Sequence, residues 1–306
     1  MVAVVTPALA DLPSCRSHAP AIPHTLAALV GCIRDSRARL PGRGAKNRSG
    51  QSDALEAALQ SRARQIEFYA SLDAESEIER PHHYPRPARL LIESKFHRAL
   101  GLLGHVTSTD ALCVCGGSGM DAEWLARLGI QPTILDISPE ALARARIRAQ
   151  RHGFAATLVR GDAARLPFSD HSFDMALVHD GLHHLDNPTS AVDEMARVAR
   201  QELVVMEPAR AALTRFAVAV GLAADVEPAG NAVRRLDAAG VRARIEARGW
   251  QHVGSARDFV YYQPWTFAIY RMADRFPLFA GFVLAYRLLN LAFGRWGNSL
   301  KVVARR

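Results

Sequence analysis

Between Ala111 and Met206, short apolar runs alternate with stretches whose apolar residues recur every three to four positions. The runs predict strands at 111–115, 132–136, 156–161, 173–179 and 202–206. The periodic stretches predict helices near 120–128, 139–152, 188–199, 208–224 and 236–248. Several boundaries have local causes. Ser138 is a side-chain cap ahead of Pro139, which suits the first turn of a helix, and Gly153 suits its end. Gly129 closes the preceding helix, and Asn187-Pro188 opens a later one. Strands alternating with helices of this length predict an α/β fold with helices on both faces of a mostly parallel sheet. Such sheets bind ligands at the carboxyl ends of their strands.

The flanks have another texture. Residues 1–52, with scattered Pro, Ser, Gly and Arg, are expected to be a disordered leader. Residues 53–104 are expected to form an N-terminal helical cap, with one helix from Asp53 to about Leu72 and another from Pro87 to Leu103. The prolines of ERPHHYPRP separate them. Beyond Trp250 the pattern predicts a strand at 257–262, an apolar helical insertion at 264–298 and a last strand at 300–306. The run 276–293 is the most hydrophobic in the chain, but Arg287 and Asn290 interrupt it. It is short for a bilayer span and suits an insertion packed over the domain and touching a membrane surface.

Charge narrows the choice of partner. The net charge is +8. Residues 1–50 hold seven basic and two acidic side chains, and residues 264–306 hold seven and one, so the intervening region is slightly acidic. A nucleic-acid binder concentrates positive charge on its folded working surface, so nucleic acid is not an expected partner. Four cysteines at irregular spacing support neither a disulfide framework nor a zinc module, and a cytoplasmic setting follows as the expectation.

The sharpest local signal is ALCVCGGSGMDAEWLARLG, residues 111–129. A strand runs into Gly116, Gly117, Ser118 and Gly119, and a helix follows. Glycines there let backbone approach a ligand, and a helix start presents free N–H groups. Asp136 ends the next strand, where a carboxylate can accept both hydrogen bonds of a ribose diol. Asp162 ends the third strand in RGDAARLPF, where a carboxylate can accept from an adenine amino group. Each aspartate has a plainer use as a turn former. Together they describe a site for an adenosine-containing ligand.

These motifs resemble the class I S-adenosylmethionine-dependent methyltransferases, most of all their small-molecule branch with the quinone-biosynthesis enzymes. The resemblance covers about 105–255, and 300–306 resembles the family's last, antiparallel strand. It implies a Rossmann-like, seven-stranded, mostly parallel sheet over residues 105–306. The family's first motif, acidic-x-Gly-x-Gly-x-Gly, falls on Cys113, Cys115, Gly117 and Gly119, so cysteine replaces both the acid and the first glycine. ILDISPEAL carries Asp136 and Ile137 at the ribose position, GDAARLPF carries Asp162 and Ala163 at the adenine position, and SFDMALVHDGLHHLDNP resembles the fourth-strand motif. The implied cofactor is S-adenosylmethionine, held by Cys115, Gly116, Gly117, Gly119, Asp136, Ile137, Asp162, Ala163 and His179. No metal is implied.

Methyl transfer from a sulfonium is an in-line displacement, and a base is needed where the acceptor must lose a proton. His183 is the first candidate base and His179 the second, with Asp180 placed to orient either. Glu207 and Pro208 match a feature near the family's acceptor pocket, although a carboxylate there also caps a helix start. Tyr69 and the run around His82, His83 and Tyr84 are candidates for a lid. Trp265, Phe267, Tyr270, Phe276, Phe279, Phe282 and Tyr286 offer an aromatic wall for a lipophilic acceptor or, equally, ordinary core. A nicotinamide-dependent oxidoreductase is the rival enzyme, since it shares the sheet and glycine turn. A non-catalytic scaffold is the third reading, motivated by Cys113 and Cys115.

Overall fold

The computed structural model describes residues 2–5, 63–211, 233–261 and 266–306, with a few single positions between them. Strand β1 (Val2–Val5) opens the chain; a helical stretch at 63–71 precedes helices α1 (Ala74–Glu79) and α2 (Arg86–Leu103). The alternating region then runs β2 (Asp110–Val114), α3 (Met120–Arg127), β3 (Gln131–Asp136), α4 (Pro139–His152), β4 (Ala156–Arg160), β5 (Phe173–His179), α5 (Pro188–Val198) and β6 (Ala199–Pro208). Helix α6 (Ala238–Glu246), strand β7 (Gln251–Asp258), helices α7 (Phe267–Ala273) and α8 (Leu278–Phe293), and strand β8 (Ser299–Arg305) complete it. The expected helix at 208–224 falls largely outside the described residues, as do Trp265 and most of the leader.

The strand order is β1-β4-β3-β2-β5-β6-β8-β7. Strands β4, β3, β2, β5 and β6 are parallel neighbours, and β8 enters antiparallel between β6 and β7. These are the seven strands expected. The eighth is an addition: residues 2–5, placed in the leader by composition, pair antiparallel with β4. Another difference concerns β7, expected at 257–262 and found at Gln251–Asp258. The ladder to β8 engages the small and polar GSARD segment. The apolar residues that follow, Val260 and Tyr261, turn instead to a cavity wall.

The sheet's two faces separate by the two-residue period of its strands. Leu112, Val114, Ala176, Val178, Leu203 and Val205 pack toward α5 and α6, whereas Cys113, Ile134, Leu177 and Val204 pack toward α2, α3 and α4. Strand direction reverses its chain order at β2, which has β3 on one side and β5 on the other. That switch point opens a crevice above the carboxyl ends.

Two arginines of α4 fix the cap to this sheet. Arg144 donates to the carbonyls of Tyr69 and Ala70 at 2.9 and 2.8 Å. Arg148, fully buried, donates to Ile78 and Arg80 carbonyls and to Glu123 of α3. Burial acts to raise the Glu123 pKa, but Arg148 and His82 outweigh it and hold the carboxyl below its ordinary value. Breaking such a pair strands a buried charge, so Arg148→Met is expected to lower the unfolding free energy by about 3–5 kcal/mol. The loss is measured by urea denaturation at pH 7. Since the carboxyl is depressed on folding, its share is present above pH 4.5 and fades as acid protonates it.

Candidate active site

A cavity of about 990 Å³ lies above the strand ends at the switch point. Its walls include Cys115, Gly116, Gly117, Asp136, Ile137, Asp162, Ala163, His179 and His183, so residues from the ends of β2, β3, β4 and β5 meet in one hollow. Gly119 is outside that lining. It caps α3 at φ 85°, and a Cβ there would lie 3.0 Å from Ile134 Cδ1, so its work is close packing of helix on strand.

The carboxylates organise the loops around them. Asp136 accepts from the Gly117 N–H through one oxygen and from the Ser138 N–H through the other, each at 2.9 Å. Burial raises its pKa, against the pull of those backbone donors. Asp162 accepts from the Ala164 N–H. Both carboxylates also face the cavity.

At the fourth strand end Glu207, fully buried at the end of β6, accepts from the N–H groups of Gly181, Leu182 and His183. It also lies 2.8 Å from His183 Nδ1. An ionised carboxylate only accepts, so Nδ1 carries the proton and Nε2 is the basic nitrogen of His183. Both residues are nearly inaccessible, which fixes the ring. Glu207 therefore caps the Leu182–His184 turn, not the start of the helix expected after β6, and holds the His183 ring. His179 is held differently, with Nδ1 2.8 Å from Asp121 Oδ1 at the start of α3. Asp180, with φ 53°, pairs with Lys95 of α2, and Lys95 and His179 press its pKa well down despite burial. Lys95, Asp121 and Arg235 all line the cavity and were not singled out from sequence. Lys95 sits on the buried face of a cap helix, where a lone lysine reads as a solvated stem.

Other candidates lie elsewhere. Tyr69 reaches the cavity and its hydroxyl is 3.3 Å from His184 Nε2. His82 instead binds Glu123, His83 binds Ser76, and Tyr84 packs on Phe267, so this run is structural. The expected aromatic wall is also corrected. Phe267, Tyr270, Phe276, Phe279, Phe282 and Tyr286 are absent from the described lining; they pack along α2 or face outward. The far wall comes instead from Pro208, Val233, Val260, Tyr261 and Asn298. Two donor sets among the described residues have metal-ligand spacing, His82 with Glu123 and His152 away from the cavity, and Asp180 with His183 and Glu207 at it, each presenting atoms within 4.8 Å of one another. Glu207 already accepts four hydrogen bonds and Lys95 sits on Asp180, so a cation has little left to neutralise.

Residues 112–205 match the model of the methyltransferase domain family. A demethylmenaquinone methyltransferase of Mycobacterium sp. is 33% identical over 49% of this chain and 71% of its own length. One from Renibacterium salmoninarum is 36% identical over 34% of this chain, and a ubiquinone/menaquinone biosynthesis C-methyltransferase of Roseobacter denitrificans is 36% identical over 31%. The chain spans less than half the length of these last two, 44% and 41%. Magnesium protoporphyrin IX methyltransferase of Synechocystis shares the fold, with a TM-score of 0.56 over 80% of this chain and 99% of that one at 16% identity. The chain belongs to the class I S-adenosylmethionine-dependent methyltransferases, whose cofactor is S-adenosylmethionine. A nicotinamide-dependent oxidoreductase is not favoured by these matches.

The residues fit that cofactor on two counts. Asp136 and Asp162 sit at neighbouring strand ends on the wall of one hollow. The hollow is also rich in carboxylates: burial first, then Asp136, Glu207 and Asp162, push the Cys115 thiol well above its ordinary pKa. Burial opposes any charge, but the carboxylates that resist a thiolate would offset that cost for a sulfonium.

Cys115 occupies the family's first glycine position at φ 52°, a backbone conformation unfavourable for a side chain. Its Cβ fits because position 181 lacks one; a Cβ on Gly181 would come 2.4 Å from it. We expect Gly181→Ala to destabilise the fold by roughly 1–3 kcal/mol. Cys115→Gly in the same chain should restore most of that loss, a coupling read from a denaturation double-mutant cycle.

Proposed function

We propose that this protein transfers a methyl group from S-adenosylmethionine to a lipophilic small molecule of the quinol type, with His183 as the general base. The observation that carries the reading is the cavity itself, which unites Gly117, Asp136 and Asp162 with the His183–Glu207 pair. The names of the relatives support the acceptor class. When bound, the cofactor supplies a carbon already activated for displacement by its sulfonium.

Each residue then has a role. Asp136 accepts from the ribose hydroxyls while its hydrogen bond to Gly117 keeps the glycine loop against the nucleoside. Ile137 and Ala163 flank the base, and Asp162 accepts from its amino group. Cys113 is buried in the sheet and brings no charge to the cofactor's amino group. Asp121, in the first turn of α3 and lining the cavity, supplies the carboxylate instead, and His179 fixes its orientation. His183 removes a proton from the acceptor through Nε2. Glu207 stabilises the resulting imidazolium across a buried hydrogen bond. Lys95, reaching in from the cap beside Asp180, complements negative charge that develops on an acceptor oxygen.

Calorimetry with S-adenosylmethionine tests the cofactor half. Asp136→Ala is expected to weaken binding about 10–100-fold, since buried diol hydroxyls lose a charged acceptor. Affinity unchanged by that substitution contradicts the assignment. Labelled cofactor with reduced demethylmenaquinone as the probe acceptor tests the other half. His183→Gln should lower kcat by about 10²–10⁴ with cofactor affinity preserved. Glu207→Gln, which keeps the bonds to Gly181 and Leu182 but sets an amide NH2 against His183 Nδ1 and loses the charge, should also lower kcat with cofactor affinity preserved. A fully active His183→Gln chain excludes the base.

A further inference from the structure

The helical pair α7–α8 is built unlike the rest of the molecule. None of the 16 residues of α8 is buried. Leu278, Leu284, Leu288, Leu289 and Leu291 are all exposed, Leu291 at 85%, and Phe276 in the turn before α8 is exposed at 83%. Ile269 and Met272 extend the same apolar surface onto α7, and Trp296 and Phe293 close its far end. The run 278–296 is long and apolar enough to cross a membrane by length and composition. Its other face, however, is already taken. Tyr286 bonds to Ser94 at 3.0 Å, the Asn290 side-chain Oδ1 accepts from the Phe259 N–H at 2.8 Å, and Arg86 lies over the Phe279 ring. A helix tied along one side to its own domain lies flat with the opposite side bare.

The charges around the bare side have one sign. Arg271, Arg275, Arg287 and Arg295 are exposed on this pair or its ends. Asp274, the only acid in residues 264–306, is engaged by Arg86. An exposed apolar stripe flanked by aromatics and ringed by arginines matches a surface of acyl chains beneath anionic headgroups. We propose that α7–α8 is a membrane-docking element that lies in the interface of an anionic bilayer, with Leu284, Leu288 and Leu291 entering the acyl boundary. The Tyr270 hydroxyl holds the carbonyl of Tyr261, a residue of the cavity wall, so the docked face adjoins the catalytic hollow. The proposal is independent of methyl transfer, because docking is read without cofactor or acceptor.

Flotation of the full chain with phosphatidylcholine vesicles, with and without phosphatidylglycerol, tests it. The chain should float with the anionic vesicles, and added salt should weaken the association. Leu284→Glu with Leu291→Glu should reduce partitioning at least about tenfold. The same variant should keep its unfolding midpoint, as both side chains are exposed. Arg287→Gln with Arg295→Gln should lose about fivefold per charge on anionic vesicles and little on neutral ones. Failure to float, or flotation unchanged by the leucine variant, overturns the proposal. So does concentration-dependent dimerisation abolished by that variant without vesicle binding, which assigns the face to a second copy. The calorimetric result above is unaffected by any of these outcomes.

Discussion

Carboxylates at the ends of parallel strands, partly or fully buried, are what the site depends on. Each strand end leaves loop N–H groups to be satisfied, and in this molecule acids gather them: Asp136 takes Gly117 and Ser138, Asp162 takes Ala164, and Glu207 takes three in succession. The cost of burying those charges is offset only while the donors converge on them. Loop shape and charge are therefore one property. The same bonds that fold the turns set Asp136 and Asp162 on the wall of the hollow.

Much of the sheet was legible because period-two burial and helix caps leave clear marks. Helix α4 ends where Ser138, Pro139 and Gly153 place its ends, and Asp136 and Asp162 are found where spacing puts them, at adjacent strand tips. Strand β7 was misplaced because a ladder stabilises backbone irrespective of side chain, and GSARD has no apolar alternation to announce it. The aromatic insertion misled for the opposite reason. Its composition fits equally a pocket wall, a core or an exposed face, and only tertiary contacts tell these apart.

The partners of charged groups were also hidden. Lys95, Asp121 and Glu207 lie far apart in the chain from Asp180, His179 and His183, with which they pair, and nothing in local pattern joins them. A histidine's usefulness depends on what holds its other nitrogen. That information is set by packing between β6 and the turn after β5. The cap is likewise positioned through its own carbonyls by Arg144 and Arg148, so the residues that place it belong to another helix.

The accommodation of Cys115 by Gly181 constrains how this loop changes over generations. A methyl at 181 crowds any Cβ at 115, whereas a chain bearing glycine at both leaves room for either gain. A side chain gained at one position therefore limits what the other accepts, and the two sites vary as a pair across one van der Waals contact.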